Sequence, residues 1–142
     1  MNFVFLPLAS WLLVSPFGGF MIQATASPDQ LRTLVIRSYG CGAQMPASIQ
    51  AKAQRRIGDR VESRTLQVQV RNAEQGIYEL VLSKSEAGAW LLVIEGSYRG
   101  MKQTLICRTD NRGEILASSI QSCGREPSSE IAHGLDALQS KS

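Results

Sequence analysis

The sequence predicts an α+β fold, a five-stranded antiparallel meander with two N-terminal helices on one face and a short C-terminal helix on the other. Four observations predict it. Apolar residues recur at helical spacing over residues 27–58, alternate with a period of two over residues 64–120, and return to helical spacing over residues 127–139. Short turns separate the successive strands, which is typical of antiparallel neighbours.

The first 26 residues have the composition of a secretory signal peptide. They contain no Lys, Arg, Asp or Glu, and they end in the small-x-small triplet Ala24-Thr25-Ala26, a form that signal peptidase accepts. The usual positively charged start is missing, so an uncleaved membrane anchor is the alternative. We expect cleavage after Ala26, one mature domain over residues 27–142, and a periplasmic or secreted location. Membrane association is expected only if the N-terminal segment stays uncleaved.

Residues 27–58 are predicted to form a layer of two helices. Ser27 is followed by Pro and Asp, and this order favours a helix start because Pro suits the first turn and an acid suits the positive end of the helix dipole. In the second helix Ile49, Ala53 and Ile57 recur at i, i+4 and i+8.

Residues 64–120 are predicted to form the sheet, in registers that follow from the loop lengths. Positions 70 and 78, 78 and 95, 93 and 105, and 107 and 117 are expected to pair. The face expected against the two helices then carries Leu66, Val68, Val70, Tyr78, Leu80, Leu82, Leu91, Val93, Leu105 and Cys107.

The opposite face of this sheet is also rich in apolar residues, unlike a face that water covers. Residues 90–94, with the sequence WLLVI, lack alternation, and we expect them to be buried on both faces. The opposite face is covered either by the C-terminal helix over residues 127–139 or by a partner, and a register error of one residue would exchange members between the faces. A partner would meet Val81, Trp90, Leu92, Ile94 and Ile106.

The chain carries a net charge of +3, and its helical layer is predicted to be basic. No acid lies between Asp29 and Asp59, so this surface is either simply solvated or steers an acidic partner. Nucleic acid is not expected, because the location is outside the cytoplasm and no cluster of Arg and aromatic residues is present. The basic residues of this surface are Arg32, Arg37, Lys52, Arg55 and Arg56.

Three cysteines remain after the expected cleavage, and an oxidising compartment favours one disulfide and one free thiol. Cys41 is expected to pair with Cys107 or with Cys123. A bridge between Cys107 and Cys123 is disfavoured, because position 107 pairs with position 117 and the chain would have to double back to close it. No C-x-x-C motif is present, so the sequence predicts neither a redox site nor a zinc site.

Few side chains suggest catalysis, and no catalytic, cofactor or metal site is predicted. The single histidine, His133, is expected to be solvated on the last helix, which leaves no second histidine for a Ser-His or Cys-His pair. Glu95 is expected to have a structural role near Tyr78, accepting a hydrogen bond from the Tyr78 hydroxyl or from an Arg, and a role as an acid is the alternative. A hydrolase would need paired carboxylates, and the candidates are Glu95, Glu126, Glu130 and Asp136.

The sequence thus predicts a small exported, non-enzymatic protein that binds a protein partner, such as an inhibitor, an immunity protein or an envelope-assembly factor. The alternative is a carrier of a small ligand or lipid, with a pocket between sheet and helices lined by Tyr78, Leu80 and Val93. A carboxylate-based hydrolase is the least favoured function. These classes rest on analogy between folds, which by itself establishes no function.

Overall fold

Two antiparallel sheets and one α-helix make up the described part of the chain, so the predicted meander with two N-terminal helices is wrong. A computed structural model describes residues 19–83, 88–124 and 127–140. Residues 1–18 of the expected signal peptide and Glu126 lie outside the described residues. The elements are β1 (Phe20–Ala26), β2 (Thr33–Gly40), β3 (Ala43–Gln44), β4 (Ser48–Ile57), β5 (Arg60–Leu66), β6 (Val68–Asn72), β7 (Ile77–Val81), β8 (Leu91–Tyr98), β9 (Met101–Arg108), β10 (Gln121–Ser122) and α1 (Pro127–Ser140), with a turn of 3-10 helix at Ala117–Ser119.

The two sheets form a sandwich that is joined along both sides. Sheet A has the order β1-β2-β7-β6 with β3 beside β2, and sheet B has the order β10-β9-β8-β4-β5. A single residue, Gln67, separates β5 from β6, so the chain passes from one sheet to the other at a corner. On the other side β1 contacts β9. These two junctions enclose a core between the sheets.

The core consists of the inward-facing side chains of both sheets. Alternate residues of each strand point inward, as the two-residue period of a strand requires. Buried residues of this core include Ile22, Leu34, Ile36, Tyr78, Leu80 and Leu82 from sheet A and its margins, and Ala51, Ala53, Leu92, Ile94, Leu105 and Cys107 from sheet B.

The segment predicted to be helical forms strands instead, and its residues explain why. A spacing of four residues is also a multiple of two, so Ile49, Ala53 and Ile57 fit a strand as well as a helix. Ala51 distinguishes the two conformations. It is buried together with Ala53, two residues away, and this spacing places both on the same face only in a strand. In the first predicted helix, β-branched residues of β2 favour the extended conformation.

One predicted register is confirmed and others are corrected. Val70 pairs with Tyr78, as expected. Position 95 does not pair with Tyr78, because β8 pairs with β4 and β7 pairs with β2. Val93 pairs with Ile106 rather than position 105, and this shift of one residue moves Leu91 and Val93 to the face opposite Leu105 and Cys107.

The end of the predicted meander is also different. Thr109 bridges to Ile115, which is the register that pairing of 107 with 117 implies. The 3-10 turn at Ala117–Ser119 then interrupts the strand, and the two residues of β10 pair further along β9. The last predicted strand is thus reduced to a bridge and a short edge.

Residues 90–94 are buried, and β8 is covered on both of its faces, as the sequence predicts. Leu92 and Ile94 face the core between the sheets, whereas Leu91 and Val93 pack with Ile106, Leu135 and partly buried Ile131 on the outer face of sheet B. Helix α1 provides this outer cover, so the helix predicted over 127–139 is confirmed, but it covers the face with Leu91 and Val93 and not the predicted face with Leu92 and Ile94. No helix in the described ranges is long and apolar enough to span a membrane.

The cysteines are free thiols in this fold, and the expected bridge from Cys41 is not formed. Cys41 is exposed at the turn between β2 and β3, where its φ is +54°. Cys107 belongs to the core between the sheets, and Cys123 lies on the outer face of sheet B beneath α1. The sheet therefore separates the two buried thiols.

Strand β1 is expected to be an important part of the core, although it precedes the predicted cleavage position. In a chain that begins at Gly19, Ile22→Ala should lower the free energy of unfolding by about 2–5 kcal/mol, because Ile22 is only 1% exposed. Gln23→Ala is the matched control on the exposed face of the same strand, and it should change stability by less than about 0.5 kcal/mol. Urea unfolding measures both, and equal effects of the two substitutions would contradict this packing.

Candidate functional site

A groove on the outer face of sheet B is the strongest candidate for a binding site. It has a volume of about 540 Å³, which lies in the range of small-molecule sites. It opens between the first turns of α1 and the corner where β5 passes into β6. Its apolar lining includes Val68, Val93, Pro127 and Ile131, and its polar lining includes Gln50, Lys52, Thr65, Glu95 and Thr104.

The polar residues of the groove come together because alternate residues of four neighbouring strands, β5, β4, β8 and β9, point outward. Gln50, Glu95 and Thr104 form one row across β4, β8 and β9, since Glu95 pairs with both of the others. In the adjacent row Lys52 pairs with Val93. Lys52 and Glu95 are thus diagonal neighbours on one face, within the reach of long side chains.

Glu95 is the half-buried charge in the groove. Its side chain makes no hydrogen bond or ion pair with any residue that the structure describes, and the Tyr78 hydroxyl bonds instead to the backbone N–H and carbonyl oxygen of Ala47. The expectation that Glu95 interacts with Tyr78 is therefore wrong. A partly desolvated carboxylate gains from a hydrogen-bond donor or a cation, so this position favours a ligand that supplies one.

The groove exists because α1 covers only part of the outer face. The helix packs over Leu91, Val93 and Ile106, and Ile131 in its second turn borders the groove. Glu95 is two residues beyond Val93 along β8, where the helical cover ends. Lys52 and Gln50 on β4 are exposed beside it.

Glu130 fastens the start of α1 to the strand before it. Its carboxylate accepts a hydrogen bond from the backbone N–H of Gly124 at 2.9 Å. Together with a hydrogen bond from the Cys123 thiol, this contact lowers the pKa of Glu130 from its usual value of 4.5. Burial, followed by the nearby Glu130 carboxylate, raises the pKa of Cys123 to about 11. Cys123 is consequently a protonated thiol at neutral pH and a weak nucleophile.

A second, smaller cavity of about 250 Å³ lies beside this contact. Glu130 and exposed His133 line it from α1, and Ser119 and Gln121 line it from the segment after β9. The Glu130 carboxylate already accepts the hydrogen bond that holds the start of α1, and the neighbouring Cys123 thiol is protonated. The residues present therefore give this cavity a structural role.

The carboxylates considered for a hydrolase lie apart. Glu95 lines the groove, whereas Glu130 lines the second cavity. Asp136 on α1 forms an ion pair with Arg56. Among the described residues, no group of three or more His, Cys, Asp or Glu side chains is placed to hold a metal ion.

The apolar residues offered as a partner surface are largely inside the protein. Trp90, Leu92, Ile94 and Ile106 are at most 4% exposed, so no partner reaches them in this fold. Val81 is the exception, with 48% of its surface exposed at the end of β7. Sheet A covers Trp90, Leu92 and Ile94, and α1 covers Ile106.

The basic residues do not form one helical surface, because they lie on strands of two different sheets. Arg32 precedes β2 and donates to the carbonyl oxygen of Arg112 at 2.8 Å, and Arg37 is on β2 itself. The other three are on β4 in sheet B: Lys52 in the groove, Arg56 paired with Asp136, and Arg55.

Arg55 packs on the buried Trp90 ring and pairs with Glu62, so it does not contribute to a basic surface. Its guanidinium lies 4.2 Å from the centre of the Trp90 ring and donates to Glu62 at 2.7 Å. Arg64 lies over the same ring at 5.0 Å. The hydrogen bond from Arg55 is the main reason that the pKa of Glu62 is lowered.

The sequence indicated some of the groove residues but not their arrangement. Lys52 was predicted to lie in a basic layer. Val93 was predicted to lie on the main core face and in a pocket with Tyr78 and Leu80, both of which lie in the core between the sheets. Gln50, Thr65 and Thr104 were missed. The alternation of Gln50 and Lys52 with Ala51 and Ala53 is the signal that identifies Gln50, once β4 is recognised as a strand.

No protein-family model matches this sequence, and no curated protein matches it either.

The contact made by Glu130 predicts a pH dependence of stability. Because its pKa is lower in the folded state, this carboxylate stabilises the fold above pH 4.5, and the contribution is lost as the pH falls through the folded-state pKa. Urea unfolding between pH 7 and pH 3 should show that the free energy of unfolding falls less on acidification in Glu130→Gln than in the parent chain. Parallel stability curves for the two proteins would contradict the assignment.

Proposed function

We propose that this chain is an exported, non-enzymatic binding protein whose site is the groove between the outer face of sheet B and α1. One observation carries the proposal: the half-buried Glu95 carboxylate lies, without a partner among the described residues, in a groove of ligand size. Export is supported by the uncharged apolar leader and its small-x-small end.

The lining indicates the chemistry of the ligand. Glu95 favours an amine or another hydrogen-bond donor, and the ammonium group of Lys52 favours an acidic or otherwise electron-rich group. Val93, Val68 and Ile131 provide an apolar surface between the helix and the strands. We infer a small amphipathic ligand that carries polar groups at one end or at both ends, which is the alternative function that the sequence analysis named.

The sequence favoured a protein partner. The shape of the groove favours a small ligand over a protein partner. The apolar face that motivated a protein partner is packed between the sheets and beneath α1. The groove is concave and bordered by a helix and a corner of the sandwich, which is typical of small-molecule sites.

Native mass spectrometry tests the groove. The parent protein, purified from the cells that produce it, should carry an additional small mass, and Glu95→Gln should reduce its occupancy because the charge-assisted bond is lost. Glu74→Gln, at an exposed position in the turn between β6 and β7, makes the same charge change outside the groove and should retain the mass. A bare polypeptide mass for the parent, or a bound mass that Glu95→Gln leaves unchanged, contradicts the proposal.

A further inference from the structure

Strand β1 closes one side of the sandwich and is itself an edge strand of sheet A. It pairs with β2 over seven residues, from Phe20 opposite Gly40 to Ala26 opposite Leu34. It also contacts β9 of sheet B, and so fills the gap between the two sheets on this side. The space that it occupies is called the β1 slot below.

The β1 slot is shaped around one aliphatic side chain. Ile22 is almost fully buried, and it packs so closely on Gly96 of β8 that a Cβ at Gly96 would lie 2.6 Å from Cγ2 of Ile22. The backbone N–H of Ile22 donates to the side-chain amide oxygen of Gln103 on β9. The slot therefore binds its strand through the backbone as well as through the Ile22 side chain.

The inward side chains of β1 decrease in size along the strand. Phe20 and Ile22 are large, and Ala24 and Ala26 are small, and all four pack on the core. Gln23 is exposed on the outer face. The slot accepts an extended, uncharged inner face with an aliphatic residue near its start and small residues two and four positions later.

The residues of β1 are the ones that immediately precede the expected cleavage site. Cleavage after Ala26 would separate all of β1 from residues 27–142. The new edge would be β2, with unpaired backbone groups along seven positions and with buried Leu34 and Ile36 behind it. Such an edge is a template for another strand, and the main chain of that strand supplies the affinity.

The other outer strand of sheet A offers no equivalent site. Strand β6 is continuous with β5 through Gln67, so processing at the N-terminus leaves it in place. The β1 slot is the position at which the expected export step and the edge of the sheet coincide.

We propose that the processed protein uses the β1 slot to bind an extended segment of a protein partner, antiparallel to β2. The partner segment presents an aliphatic side chain to the pocket at Gly96 and small side chains beyond it, and its backbone takes the place of β1 on β2 and at Gln103. This proposal rests on the export proposed above, but it does not depend on the groove, which is on the outer face of sheet B.

Production of the full chain in an exporting host, followed by intact mass measurement, tests the first step. We expect a mature chain that begins at Ser27. Synthetic peptides then replace the partner: one with the sequence of residues 19–26, and a matched control peptide with Ile22→Asp. The processed protein should bind the first peptide, and the control should bind more weakly by at least about tenfold, because a charge would enter the apolar pocket.

A variant that retains β1 provides the second arm. Ala26→Val removes the small residue that signal peptidase requires, and the uncleaved chain should bind neither peptide because its own β1 fills the slot. If the processed chain is insoluble alone, both peptides are supplied during production, and only the parent peptide should restore soluble protein. A purified chain that still contains β1, a processed chain that does not bind the parent peptide, or insolubility that this peptide does not relieve would overturn the proposal. The Glu95→Gln comparison is unaffected by these outcomes, so failure of this proposal is distinguishable from failure of the groove.

Discussion

Burial of β8 on both faces is the constraint on which the rest of the structure depends. Leu92 and Ile94 point to one face, and Leu91 and Val93 point to the other, so neither face of this strand is suited to water. Each such side chain stabilises the fold by about 1.5–3 kcal/mol when it is fully buried. Sheet A covers the first face and α1 covers the second. The chain passes from sheet B to sheet A at the β5–β6 corner. After β10 it forms α1, which lies on the outer face of sheet B.

The two candidate interaction sites lie where this coverage ends. On the outer face α1 covers Val93 but leaves Glu95 at the margin, and the strip of polar residues beside the helix becomes a groove. On the inner face the gap between the sheets is closed by β1, which is the element nearest to the expected cleavage position. The burial of β8 thus explains why the groove is amphipathic and open, whereas the β1 slot is apolar and filled by β1. Their chemistry differs because water reaches the groove and is excluded from the β1 slot.

The sequence was informative where a pattern has one structural meaning. The unbroken apolar run of residues 90–94 correctly indicated burial on two faces, and the helical spacing after Pro127 correctly indicated α1. It failed at Ile49, Ala53 and Ile57, because a spacing of four residues satisfies a strand and a helix alike, and small Ala51 was not counted as part of a buried face. The shift from position 105 to Ile106 opposite Val93 could not be seen from loop lengths, yet it exchanged the faces of β9 relative to β8. Glu95 was recognised as unusual, but its environment depends on β4 and β9 at its sides, and only the sheet order of the fold brings Gln50 and Thr104 beside it.

The most direct measurement of this account is the free energy of unfolding of Leu92→Ala and Val93→Ala, each with and without α1. In the chain that contains the helix, Leu92→Ala should cost about 2–5 kcal/mol and Val93→Ala more than about 1 kcal/mol, because both side chains are buried. In a chain that ends before residue 127, Val93→Ala should cost less than about 0.5 kcal/mol, whereas the cost of Leu92→Ala should persist. A Val93→Ala cost that is negligible in the presence of α1, or one that removal of α1 does not change, would contradict burial of β8 on both faces.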